Sequence, residues 1–213
     1  MIEQNNKVLG CFDHAFLINA KESQGRLHRV SAELSRIGVQ YELFEAIMPT
    51  VGTYKHATRV GCALSHMAVV KIAKDRGYKN VLVLEDDVIF RDNFIEMWNN
   101  LRPTFDTIDY DLFYFYDWTG DNAGKPYQIV QGRTYTTHCY ALHSQFYDKF
   151  LATCEEWCRD LAVDFIMAHA MKECKKWITS PSLVGQREEM SMIENRVRTT
   201  RWGVANNSDG TAV

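Results

Sequence analysis

Glu85, Asp86 and Asp87 stand side by side after the apolar run Val81–Leu84 and are followed at once by Val88, Ile89 and Phe90. Three carboxylates at the end of a buried strand repel one another and lose hydration unless cations or hydrogen bonds compensate them. Alternation along a strand sends Glu85 and Asp87 to one face and Asp86 to the other. An acid–x–acid pair at a strand end offers hard oxygen ligands to Mg2+ or Mn2+, which keep room for water and phosphate oxygens. A metal held there would neutralise charge building on a diphosphate leaving group. The same acids could instead cap the next turn or pair with surface lysines.

The surrounding pattern says what positions them. "HAFLINA" (14–20) reads as a buried strand. The polar stretch after it carries Leu27, Val30, Leu34 and Ile37 at helical spacing, with Gly38 as a stop. A strand over 39–47, a loop through Pro49 and Gly52, and a helix over 61–77 closing at Gly77 follow. The acidic strand is read over 80–90, and a helix capped by Asp92 over 92–101. Next come an aromatic strand (111–117), a long polar turn, and one or two strands in "YQIVQGRTYTTHCYALH". Helices are expected over 144–158, capped by Ser144, and over 163–173, opening beside Asp164. "KWITSPSLVGQ" gives a strand and turn, and the tail looks increasingly irregular. Strands alternating with helices predict an α/β domain around a mostly parallel sheet. Ligands of such sheets gather beyond the carboxyl ends of the strands, which is where Asn19, the loop after Ile47 and the three acids fall.

A net charge of −3 favours neither a nucleic acid nor an acidic membrane, although Arg196, Arg198 and Arg201 make the tail basic. Neither a signal-peptide pattern near Met1 nor an apolar window long enough to span a bilayer is present, which predicts a cytoplasmic protein, with peripheral contact at the inner face of a membrane allowed. The six cysteines lie in apolar surroundings, and reduced core thiols are expected. Cys154 and Cys158 share a helix face, but no second pair completes a structural zinc site.

Paired acids on a strand also occur in receiver domains that bind Mg2+. In those the acidic strand opens the domain, whereas a long, well-patterned stretch precedes it here. Asp117 could serve as phosphate acceptor, but no orderly Thr/Ser and Lys series follows it.

"FLINAKESQGRLHRV", "YELFEAI", "VGCALSHMAVVKIA", "VLVLEDDVIF", "THCYALHSQFYDKFL", "AVDFIMAH" and "SPSLVGQREEMSMI" come in an order and spacing that resembles glycosyltransferase family 25 over residues 14–193. The resemblance implies a GT-A fold: one domain over 1–213, with a nucleotide half to about residue 90, an acceptor half over about 91–195 and a basic tail over 196–213. It implies inverting transfer of a sugar, galactose or glucose foremost, from a UDP-sugar to a glycan hydroxyl, with Mn2+ or Mg2+ as cofactor and no nucleic-acid partner. Asp87 would bind the metal directly, and Glu85 through water or against the donor's ribose or sugar; Asp86 is counted among the cofactor-binding residues of the motif, with no more specific role. Ile18 and Asn19 would lie beside the uracil, Arg26 or Arg29 near the phosphates, and Ser65 and His66 close to the donor. Ser65 and His66 read equally as a helix interior. Gln186 could touch the diphosphate or complete the metal shell. Asp164 is the expected base, though its place also suits an N-cap, and Asp117 is the second candidate. The aromatics from Tyr110 to Trp118 could stack on a sugar face; core packing suits Leu112–Tyr116 better, and Trp118 less well.

Overall fold

The computed structural model describes residues 9–50, 56–117, 126–187, 189–191 and 196–198, the last two stretches by backbone alone. Trp118 and Arg201 lie outside them, as does most of the polar turn after Asp117. In chain order the elements are β1 (His14–Asn19), α1 (Gln24–Arg36), β2 (Glu42–Glu45), α2 (Ala57–Asp75), β3 (Asn80–Glu85), β4 (Val88–Phe90), α3 (Phe94–Phe105) and β5 (Leu112–Tyr114). Then come β6 (Gln128–Gln131), β7 (Cys139–His143), α4 (Tyr147–Trp157), α5 (Val163–Ala170), β8 (Lys176–Ser180), β9 (Val184–Gln186), β10 (Glu189–Ser191) and β11 (Arg196–Arg198).

Seven strands form one sheet in the order β2-β1-β3-β7-β5-β8-β6. β2, β1, β3, β5 and β8 run one way, and β7 and β6 oppose them, so the expected mixed, mostly parallel sheet is present. Alternation on the buried strands feeds two cores. Leu17, Leu82, Leu84 and Phe113 pack with Val30 and Leu34 of α1 and Trp98 and Phe105 of α3. Phe16, Val81, Val83, Tyr114 and Tyr140 face the other way, onto Val69 and Val70 of α2, Phe150 of α4 and Ile166 of α5. Among the described residues no helix is long and apolar enough to cross a membrane.

Five expectations need correction. The acidic segment is two strands: β3 stops at Glu85, Asp86 and Asp87 form a turn, and β4 leaves the main sheet to pair with β9. The strand alternation expected for the three acids therefore does not apply beyond Glu85. α2 starts at Ala57, inside the expected loop, because Gly61 is a contact point and not a helix boundary. α3 runs to Phe105 through Pro103 and is preceded by Asn93 instead of Asp92, while Ser144 opens a single 3-10 turn before α4. In the tail, β10 and β11 pair antiparallel where irregular chain was expected.

Gly61 brings α2 against the end of β2. A Cβ there would lie 2.2 Å from the Ile47 carbonyl oxygen and 2.8 Å from Pro49 Cδ. Ser65, one turn on, completes the contact: its hydroxyl donates to Gly61 O (2.7 Å) and accepts from Ile47 N (2.8 Å). The backbone atom cannot yield cheaply, so Gly61→Ala is expected to destabilise the fold by about 1–3 kcal/mol in urea unfolding. Gly25→Ala, on the exposed side of α1 with Arg29 Nη1 at 3.6 Å, should be neutral or slightly stabilising. Equal effects of the two would refute the contact at Gly61.

Candidate active site at the carboxyl end of the sheet

β1 and β3 are parallel neighbours, and their register sets Ile18 beside Glu85. The acids thus emerge where two parallel strands end, with the start of α1 above them. From the first turn of α1, Arg26 reaches into the turn: Nη2 lies 2.5 Å from Asp86 Oδ1 and 3.2 Å from Asp87 Oδ2. Asp86, for which the sequence gives no specific role within the cofactor-binding set, is a partner of Arg26. Both aspartates are 9% exposed, and a guanidinium fork is the side chain best suited to hold two carboxylates at once.

Asp87 is fixed further by β9. Gln186 Nε2 donates to its Oδ2 (2.8 Å), and the Arg187 backbone N–H donates to its carbonyl (2.7 Å). The β4–β9 pair, with Val88 opposite Gln186, produces this meeting across 99 residues of sequence.

Glu85 turns toward α2 and β7. His66 Nε2 lies 3.2 Å from Glu85 Oε1, close enough for an ion pair but without the alignment of a hydrogen bond. His66 is fully buried, with Nδ1 2.8 Å from the Tyr140 hydroxyl. Thr137 Oγ1 donates to the same Glu85 oxygen at 2.5 Å and stands 3.1 Å from Asp164 Oδ1 in the first turn of α5. A hydroxyl has one proton to give, and the shorter contact marks Glu85 as its acceptor. Burial pushes the Glu85 carboxyl up, but His66, the Thr137 hydroxyl and the charge of His138 outweigh it and hold it at about 2.

Two sets of contacts therefore share this rim, Arg26 with Asp86, Asp87 and Gln186, and His66, Thr137 and Asp164 with Glu85, joined through the consecutive residues Glu85 and Asp86, with Ile18 alongside. Asn19 follows Ile18 at the strand end; it is 3% exposed, its Nδ2 donates to Ala20 O (2.7 Å), and its Oδ1 is buried without a hydrogen-bond partner. Three further candidates have other settings. Arg29 is exposed one turn along α1. Ser65 is committed to Gly61 and Ile47. Asp117, 1% exposed, accepts from Ser180 Oγ at 2.5 Å, and its backbone N–H donates to Ser182 Oγ at 2.8 Å. Thr137 and Tyr140 were missed. Nothing in "TYTTHCYALH" distinguishes one threonine from its neighbours, because the contact depends on β7 running antiparallel beside β3.

The family model described as glycosyltransferase family 25 (LPS biosynthesis protein) matches residues 12–122, just over half of the chain. A protein of Acanthamoeba polyphaga mimivirus designated a glycosyltransferase, R655, is 34% identical over 116 residues, covering 46% of this chain and 36% of its own. A glycosyltransferase 25 family member of Drosophila pseudoobscura pseudoobscura is 28% identical over 141 residues, covering 54% of this chain and 22% of its own. The chain thus spans little more than a third, or less, of these relatives' lengths. Among solved structures, a glycosyltransferase involved in glycosylation of the major capsid of PBCV-1 superimposes with a TM-score of 0.44 at 12% identity, covering 79% of this chain and 82% of its own.

The Glu85 environment has a pH consequence. A carboxyl whose pKa is depressed on folding contributes stability that is present above its unfolded value, near 4.5, and is lost as pH falls toward about 2. Carbon-13 NMR titration of the Glu85 carboxyl should show this low value in the wild type, a higher one in Thr137→Val, and recovery in Thr137→Ser. An unchanged titration in Thr137→Val would remove the hydroxyl from the account.

Proposed function

The chain belongs to glycosyltransferase family 25, and on that premise we propose that it moves a hexose, galactose or glucose, from a UDP-sugar to a glycan hydroxyl with inversion. The observation that carries the reading is the gathering of the acids after β3 with Arg26, Gln186 and Asp164 beyond the carboxyl ends of two parallel strands. Glu85 and Asp87 supply hard carboxylate oxygens on this rim, with side chains 21% and 13% exposed, and that donor chemistry fits Mn2+ or Mg2+. When bound, the ion would offset charge developing on the diphosphate.

The chain's own groups have distinct tasks in this proposal. Arg26 holds the acidic turn in place before the donor arrives, and its guanidinium charge suits a neighbouring phosphate. Gln186 orients Asp87. The partnerless Oδ1 of Asn19, beside Ile18, is an acceptor suited to an N–H of the base. Asp164 is half-buried and stands at the mouth of the cluster, with Thr137 fixing its distance from Glu85. It accepts the proton of the attacking hydroxyl as the anomeric carbon is approached from the face opposite the diphosphate. Asp117 is less suited to that step, since its carboxylate is shut in behind Ser180.

The receiver reading is not favoured. Receiver-type sheets follow the order 2-1-3-4-5 with parallel strands, whereas here β3 is followed by the antiparallel β7.

Calorimetry with UDP tests the proposal: binding should require Mn2+ or Mg2+ and be abolished in Asp87→Ala. Asp164→Asn should keep UDP affinity within about twofold while transfer falls by roughly 10²- to 10⁴-fold. UDP affinity indifferent to metal, or Asp164→Asn turning over normally, would overturn the corresponding assignment.

A further inference from the structure

The face of α2 that meets Glu85 carries a second donor set, chemically unlike the oxygens of the acidic turn. Cys62 and His66 are one turn apart on the helix, and their ligating atoms and a Glu85 carboxylate oxygen all lie within 4.8 Å of one another. We propose that Cys62, His66 and Glu85 form a binding site for a borderline-soft divalent ion of the zinc class, distinct from the place offered to Mg2+ or Mn2+ at Asp87 and sharing Glu85 with it.

Thiol, imidazole and carboxylate are the three ligand types of zinc sites, whereas Mg2+ and Mn2+ prefer oxygen alone. The His66 ring is wholly buried, and its Nε2, the atom facing Glu85, has no hydrogen-bond partner. Nε2 faces Glu85 Oε1 at 3.2 Å without the alignment of a hydrogen bond, a contact that a cation between the two would satisfy better. The other nitrogen is already engaged by the Tyr140 hydroxyl. Were a metal to take Nε2, Nδ1–H could donate to Tyr140, the arrangement by which an outer partner orients a metal-bound histidine. Bond lengths of about 2.0–2.3 Å put tetrahedral ligands about 3.5 Å apart, so the three atoms need draw in by only about an ångström.

Charge argues the same way. Burial and the carboxylates of Glu85, Asp164, Asp87 and Asp86 push the Cys62 thiol up, and the same surrounding negative charge favours an incoming cation. On binding, the S–H proton leaves to solvent as the sulfur–metal bond forms, and one negative charge joins the site while two positive charges arrive. Three protein ligands leave a fourth position for water or a ligand heteroatom.

Cobalt(II) is the probe, read on the full chain after chelator treatment and without nucleotide. The wild type should develop a sulfur-to-cobalt charge-transfer band that saturates at equimolar metal and is bleached by Zn2+. Cys62→Ser should lack the band while retaining the circular dichroism of the wild type, and Cys154→Ser should keep it. Tyr140→Phe, which leaves all three ligands in place, should keep the band but weaken cobalt binding by ~10-fold. No band in the wild type, or a band that survives Cys62→Ser, would show that His66 and Glu85 form only an imidazolium–carboxylate pair. Because the spectrum needs no UDP, failure of donor binding and failure of this site are separable results.

Discussion

The structure depends on how negative charge at the end of β3 is compensated. Glu85, Asp86 and Asp87 come from one strand end and its turn, and Asp164 is added from α5. In a half-dry place such a group is tolerated only with opposite charge or well-aimed donors. Arg26 on α1 takes the two aspartates, His66 on α2 and Thr137 before β7 take Glu85, and Gln186 on β9 takes Asp87. Each donor comes from a different element. Holding the acids together is therefore also what holds the carboxyl end of the sheet together.

This division of labour gives meaning to features that look unrelated in the chain. The stretch "GCALSH" packs several functions into one helical segment. Gly61 lets α2 close on Ile47, Ser65 locks that closure, and His66 emerges on the neighbouring side against Glu85. Cys62 lies one turn before His66, and its sulfur comes within 4.8 Å of the same carboxylate. The aromatic run from Leu112 to Tyr116, β5 and the two residues after it, is core, as its burial shows, and it forms the wall behind Tyr140 and His138.

Much of this was legible in the residues. Continuous apolar runs marked β1 and β3, helical spacing marked α1 and most of α2, and the rule about carboxyl ends put Asn19 and the acids on one rim. What could not be read depends on long-range geometry. A continuous apolar–acidic–apolar run looks like one strand, and only pairing of Val88–Phe90 with Val184–Gln186 breaks it at Asp86. That break is why Asp86 and Asp87 share Arg26 instead of facing apart. Thr137 and Tyr140 gain their roles from an antiparallel strand inserted between β3 and β5, an insertion that hydrophobic periodicity does not encode.

The central claim is that these compensated acids are the floor of a nucleotide-sugar site. A crystal of the chain grown with a UDP-hexose and Mn2+ tests it most directly. The account predicts an anomalous manganese peak against the Asp87 carboxylate, diphosphate between it and Arg26, and the base beside Ile18 and Asn19. Manganese or nucleotide bound elsewhere, with the Arg26–Asp86–Asp87 contacts undisturbed, would contradict it.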